Sequence, residues 1–527
     1  VRLAKNGAYA AAKPYLERAV KRVTQNHTRA LDAAPEYYLA LCSRGLAELD
    51  GFNADCLKKA EDLFWRCTWR QTHKKEAFFE IVRLCCLQGR YREAHDILEF
   101  ELMLPLGMKD AKTHTLHAYI HRKLKDDPNA SVMQKSNWQT LAANNQKKAF
   151  EDDPLEYWGL CEETFREEIA ARGRAGNVAD ASRVGETALA KAEKNRGLKA
   201  QQLLEAVSDY WGIGAWNEVI ALCDAALAKA AVEPPYATEG ALPLKDTLAA
   251  CNSYRNPMFG YFKAFALNEV EKLKGEKVEK SAVAKALVAA GEMAGDYCFP
   301  SRLEELAVLK WATGFLDSTR GASETFAARP RAAESNAYYY YGEILWNMDQ
   351  KEAGLAAWKR AAELNPQHAL ALRCIGFALS HPGTYFTNTG VPSGVASQEA
   401  YDYYLKSLAA DPGNFRTLDE AGKLAEKLNL PAAERLALME KYRKTVDKYD
   451  PCILRLAYTY NATGKYKAAY DILTTRRFHV WEGADGLLAP FVESCIGLGQ
   501  EAMANGEAAP SPLQKKECFQ TALKYFE

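Results

Sequence analysis

The chain has no charge to spare. Lys plus Arg and Asp plus Glu both number 68 in its 527 residues, so it lacks the electrostatic excess that holds phosphate backbones and anionic headgroups. Nucleic acid is not an expected partner. No apolar run approaches the roughly 20 residues needed to cross a bilayer, so membrane insertion is not expected. The first residues carry neither the basic nor the apolar block of a signal peptide, and the expected location is the cytoplasm. The cysteines are odd in number and never spaced as CxxC. That excludes a disulfide framework and leaves them as small buried apolar residues, with Cys85 and Cys223 on apolar helical stripes. Alternating Val, Ile and Thr runs are scarce while Ala, Leu, Glu and Lys recur, so the expected class is all-α. There is no Gly-rich phosphate loop, GxSxG elbow or pair of carboxylates in a catalytic context. No catalytic residue, cofactor or metal is therefore expected, and the chain reads as a non-enzyme.

What the sequence does have is a spacing. Counting from Ala457, Gly464 lies seven residues on, Tyr466 nine, Ala469 twelve and Leu473 sixteen. The same offsets fall on Val82, Gly89, Tyr91, Ala94 and Leu98, on Ile169, Gly176, Val178, Ala181 and Gly185, and on Val207, Gly214, Trp216, Val219 and Cys223. Two further copies have a loosened turn: Gly342, Gly354, Trp358, Ala361 and Pro366, and Gly376, Ala400, Tyr404, Ser407 and Pro412. Small residues on both helices of a pair let the backbones approach, Gly permits the tight turn, and the aromatic wedges between them. One pair cannot bury its own apolar face, so pairs must stack.

This spacing resembles the tetratricopeptide repeat and implies a right-handed superhelical solenoid of about twelve helix pairs, several with insertions. Gly7, Tyr9, Ala12, Leu16 and Ala19 fit the same pattern without the residue that should precede them, and LQKKECFQTALKYFE reads as a last helix without a polar cap. Both ends therefore read as cut. The blocks AEDLFWRCTWR, QGRYREAHDIL, YCFPSRLEEL, AAWKRAAELNPQHALALRCIG, RRFHVWEGADG and TALKYFE, in that order, resemble the repeat region of large bacterial tetratricopeptide proteins. In those proteins a β-rich, mutarotase-like domain of unknown function precedes the repeats. The resemblance implies a scaffold that binds a peptide, a partner protein or that adjoining domain.

Two breaks divide the chain. EPPYATEGALP (233–243) suggests a boundary, and HPGTYFTNTGVPSGVAS (381–397) inserts a loop within one pair. The expected blocks are 1–232, 244–329 and 330–527. Pro300 ends a helix, and Ser301 with Glu304 reads as a capping box that restarts one.

By repeat geometry the concave groove should be lined by Phe79, Arg83, Ser208, Trp211, Tyr339, Glu343, Trp346, Arg373, Phe377, Leu454, Tyr458 and Asn461, while Tyr338, Tyr341 and Leu345 should face the partner helix. Aromatics and Arg are the side chains that carry interface energy. Arg476 and Arg477 should close a helix whose carbonyl end they complement, followed by His479, Trp481 and Glu482, which could grip a ligand. Trp481 more readily plugs the gap between two repeats. His114, His117 and His121 share one helical face and could bind metal, but they lack the intervening Glu of HExxH, and packing against the paired helix is the favoured reading. An alternative to the scaffold is a closed (α/α) toroid with glycan-directed acid/base chemistry.

Overall fold

The computed structural model describes residues 1–26, 32–107, 109–174, 185–187, 189–190, 200–233, 252–274, 280–293, 297–319, 331–380, 397–478 and 486–527. Every regular element among them is a helix, and none is long and apolar enough to cross a membrane. Consecutive helices pack as antiparallel-type hairpins, for example Arg331–Asn347 with Lys351–Leu364 and Ala111–Lys125 with Val132–Asp152. This is the expected all-α array of tetratricopeptide-like pairs.

The turn glycines do what the spacing requires. Gly7, Gly89, Gly214 and Gly464 have φ of 68°, 72°, 72° and 73°, a left-handed region open to glycine at no steric cost. The residue after each one sends its N–H back to a helix carbonyl five residues earlier: Ala8 to Leu3 at 2.9 Å, Arg90 to Cys85 at 2.8 Å, Ala215 to Tyr210 at 3.0 Å and Lys465 to Tyr460 at 2.8 Å. This bond ends a helix and reverses the chain.

The turn expected to be loosened after Gly342 is tight as well. Asp349 takes φ 59° and Gln350 closes onto Leu345 at 2.9 Å. Asn429, φ 53°, does the same before Leu430. Asp and Asn tolerate this conformation better than other side chains, so a search for glycine alone passes over both turns. The small helix positions are equally direct: a Cβ on Gly376 would stand 2.9 Å from Tyr404 Cδ1, which is the expected aromatic wedge.

One expectation is corrected by the helix that follows Pro300. The cap after Pro300 uses Glu305, not Glu304: its Oε2 accepts from the backbone N–H of Ser301 at 2.6 Å and of Arg302 at 2.8 Å, because the helix begins only at Leu303. The chain also divides into two compact units, Val1–Pro235 with Lys245–Leu364, and Tyr236–Leu244 with Asn365–Glu527. The described residues of 252–319 and the hairpin after residue 330 fall in the first of these units. Gly176, Val178 and Ala181 of the third repeat copy, the 381–396 part of the long loop and all but Glu233 of the first break lie outside the described residues.

The first unit packs repeats that are distant in sequence directly against each other. Helix Ala34–Leu49 rests on Leu303–Thr319, Gln350 Nε2 donates to the Asn6 carbonyl at 2.9 Å, and Arg44 Nη2 donates to the Gly212 carbonyl at 3.0 Å. The Phe52 ring centre lies 5.1 Å from that of Trp211, 5.5 Å from Trp216 and 5.9 Å from Phe265. In the second unit one core runs from Ala400 to Ala469 through Tyr404, Leu418, Met439 and Leu456.

Candidate functional site

These long-range contacts decide what the groove residues of the first unit do. Trp211 is fully buried within an aromatic cluster completed by Phe262 and Phe265, so it is core and not groove. Arg83 is half-buried, with Nη1 donating to Glu80 Oε1 at 3.1 Å, and its guanidinium covers Gly212 so closely that no Cβ fits there. Phe79 is half-buried beside it and Ser208 is buried. Trp211 and Arg83 are thus taken up by other helices of the same unit.

The Tyr-rich helix divides differently from expectation. Tyr338 shares its hydroxyl with Asp317 and lies under the Arg360 guanidinium at 6.0 Å. Trp346 packs on Trp358 of the paired helix, ring centres 5.0 Å apart, with the Lys351 ammonium 4.6 Å from its ring centre. Trp346 is therefore part of the hairpin seam that Tyr338, Tyr341 and Leu345 were expected to fill. Tyr339 is buried and Glu343 half-buried.

The second unit keeps an open concavity. A cavity of 410 Å³ is lined by Phe377, Ser380, Tyr404, Arg416, Asp419, Glu420, Lys423, Leu424, Lys427 and Tyr449. Helices Ala369–Ser380 and Phe415–Lys427 supply most of this lining. The expected groove residue Phe377 sits in it, and Arg373 stands beneath it with Nε donating to Glu420 Oε2 at 3.0 Å. Burial works against the Arg373 charge, but the Glu420 carboxylate outweighs burial and holds the guanidinium above its ordinary range. Asp419 is engaged from two sides, by Arg455 at 3.3 Å and Lys423 at 2.8 Å. Both acids of the lining are thus matched by cations. Arg416 and Lys427 are exposed at the rim and have no ion pair among the described residues.

Further along the second unit, Leu454 and Asn461 are buried. Asn461 brackets two helices: its Nδ2 donates to the Pro490 carbonyl at 2.8 Å, and its Oδ1 accepts from the Ser494 hydroxyl at 3.0 Å. It is a structural clasp. Tyr458 is half-buried with its hydroxyl 3.4 Å from the Gly486 carbonyl. His479, Trp481 and Glu482 lie outside the described residues. Arg476 differs from expectation: helix Tyr466–Thr475 ends before it, and it reaches back to the Asp447 carbonyl at 2.8 Å and Asp450 at 3.2 Å.

The three histidines of the 111–125 helix separate. His114 Nδ1 meets Asn145 Oδ1 at 3.2 Å on the paired helix, as favoured from the sequence. His117 and His121, ring centres 4.1 Å apart, face His95 instead, with His117 Nε2 at 3.1 Å from His95 Nδ1. Spacing along one helix could not reveal His95, which comes from the preceding hairpin. Burial first, then the neighbouring imidazoles, pushes His117 down to about 2. Burial likewise brings His121 down to about 3.

Another buried polar group of the first unit is a balanced ion network. Arg122 donates to Glu162 through Nε at 2.6 Å and Nη2 at 2.8 Å and to Glu218 at 3.0 Å, while Lys123 reaches Glu218 at 2.6 Å and Tyr210 donates to Glu162 at 2.9 Å. Two cations meet two carboxylates, so the charges of the network balance.

No family model matches the chain. Among solved structures, the crystal structure of the APC/C hetero-tetramer Cut9-Hcn1 aligns over 93% of this chain and 94% of that chain, at 13% identity and a TM-score of 0.21. That degree of likeness carries no weight for fold or function, which rest on the geometry above.

Proposed function

We propose that the chain is a non-catalytic interaction scaffold and that its second unit binds an extended, acidic segment of a partner protein or of an adjoining domain. The observation that carries this reading is the cavity between helices Ala369–Ser380 and Phe415–Lys427. Phe377, Tyr404 and Tyr449 give it apolar walls, and its two carboxylates are already held by Arg373, Arg455 and Lys423. The charge left for a ligand is the exposed Arg416 and Lys427. Aromatic walls under an unpaired cationic rim suit an apolar side chain flanked by Asp or Glu. The committed carboxylates do not resemble the general acid and base of a glycan-active cleft, which supports binding over chemistry.

Selection from a random peptide display library tests the reading. Sequences enriched on the wild-type chain should combine an aromatic or aliphatic residue with Asp or Glu, and Arg416→Glu with Lys427→Glu should abolish the enrichment. Enrichment of basic peptides, or acidic enrichment that survives the double reversal, would overturn it.

A further inference from the structure

We infer that His95, His117 and His121 form a binding site for a divalent transition-metal ion, zinc by the chemistry of the donors, with Glu99 placed to complete the coordination. Each of the three rings offers one nitrogen, and these atoms all lie within 4.8 Å of one another. The closest pair, His95 Nδ1 and His117 Nε2, is 3.1 Å apart. Two imidazole nitrogens bound tetrahedrally to zinc at their usual bond length stand about 3.3 Å apart, so small ring rotations suffice to admit the ion. The Glu99 carboxylate oxygen lies 3.7 Å from His117 Nε2, on the same side as His95.

The environment fits a site better than a packing cluster. His117 and His121 are each only 1% exposed, so their rings stand out of water. Without an ion one of them is poorly served: His121 Nε2 is buried with no hydrogen-bond partner, while its Nδ1 lies beside Asn145. Orphaned buried nitrogens are costly and call for an explanation.

The surroundings hold the rings in place. Trp138 stacks on His121 at 5.2 Å and meets His95 edge-on at 5.1 Å, and the Asn145 amide lies 3.4 Å from His121 Nδ1. Such outer contacts orient metal-binding imidazoles. The backbone contributes as well, since the helix carrying His95 passes at Ile97 into a wide turn over Ile97–Met103 with five-residue hydrogen bonding, a distortion that recurs at functional sites. Among the described residues, the other group with ligand-like spacing, Glu61, Cys85 and Glu93, is already filled by Arg90, which pairs with both carboxylates at 2.7 Å.

The site is independent of peptide binding and is tested on the whole chain. Equilibrium dialysis of metal-stripped protein against zinc should give one tightly held ion per chain, and cobalt(II) in its place should show the intense ligand-field bands of a four-coordinate site. His95→Gln and His121→Gln should each weaken zinc binding by roughly 100-fold or more, whereas His114→Gln, outside the triad, should leave affinity unchanged. Half-buried His95 gives a variant whose fold is checked by circular dichroism, should the buried position fail. Absence of stoichiometric zinc, a six-coordinate cobalt spectrum, or binding that survives His95→Gln would overturn the inference.

Discussion

Trp358 fills the space that Gly342 leaves empty: a Cβ on the glycine would stand 2.4 Å from Trp358 Cδ1 and 2.5 Å from its Nε1. The indole cannot yield easily, since its other neighbour is Trp346. Gly342→Ala should therefore destabilise the hairpin by about 1–3 kcal/mol through overpacking, in spite of alanine's better helix propensity. Gly314, also helical, has nothing within 4 Å of its would-be Cβ, and Gly314→Ala should stabilise by about 0.5–1 kcal/mol. Opposite signs in urea denaturation would verify the pair; equal signs would refute the wedge.

The buried ion network makes the second prediction. Glu162 and Glu218 are almost fully buried, and Arg122→Met strips the first of its only cationic partner in the network. Loss of one member of a buried pair costs about 3–5 kcal/mol. Urea denaturation of the variant should show the first unit unfolding earlier, with the second unit's transition in place.

Acid sensitivity follows from the direction of three shifts. His117 and His121 drop from 6.5 to about 2 and about 3, so between those limits the unfolded chain binds protons that the folded chain refuses. Their contribution is complete above pH 6.5 and is lost as pH falls toward the folded values, at most about 1.4 kcal/mol per pH unit for each group. Glu218 moves from 4.5 to about 2: burial opposes its charge, but Lys123 and Arg122 outweigh burial. Its contribution is complete above pH 4.5 and is lost as pH falls toward 2. Burial raises the Glu156 carboxyl to about 7 and so opposes this loss, but it does so alike in wild type and variant; in metal-stripped protein the wild-type denaturation midpoint should therefore fall relative to that of His117→Gln as pH drops below 6.5.

Asn461 was expected to line a groove and instead joins helix Asp450–Ala462 to Leu488–Ala508. Asn461→Leu removes the hydrogen bonds to Pro490 and Ser494 that join these helices, the Ser494 hydroxyl keeping only the Pro490 carbonyl at 2.7 Å, and should cost about 1–3 kcal/mol. Binding of acidic peptides should be untouched, as measured by fluorescence anisotropy on the folded variant. A variant of full stability but weakened binding would return Asn461 to the groove.

The hairpins were legible in the sequence because their determinants are local. Gly464 and Tyr466 are close neighbours in the chain, and a turn with a wedge needs nothing from elsewhere. The Asp349 and Asn429 turns escaped only because a non-glycine residue holds the left-handed position. The burial of Trp211 was not legible, since Phe52 and Phe265, which enclose it, come from other hairpins. His95 was missed for the same reason. Phe377 lines the second unit's cavity, but the Glu420 partner that makes Arg373 a committed cation is 47 positions away in the chain.

Binding through the second unit is tested most directly by where a ligand touches it. A photo-crosslinking amino acid at position 427, on the cationic rim, and another at exposed Lys58 of the first unit give the comparison. With an acidic peptide taken from the display selection, the account predicts crosslinks at 427 that fade as salt is raised and none at 58. Equal labelling at both positions, or labelling at 58 alone, would contradict it.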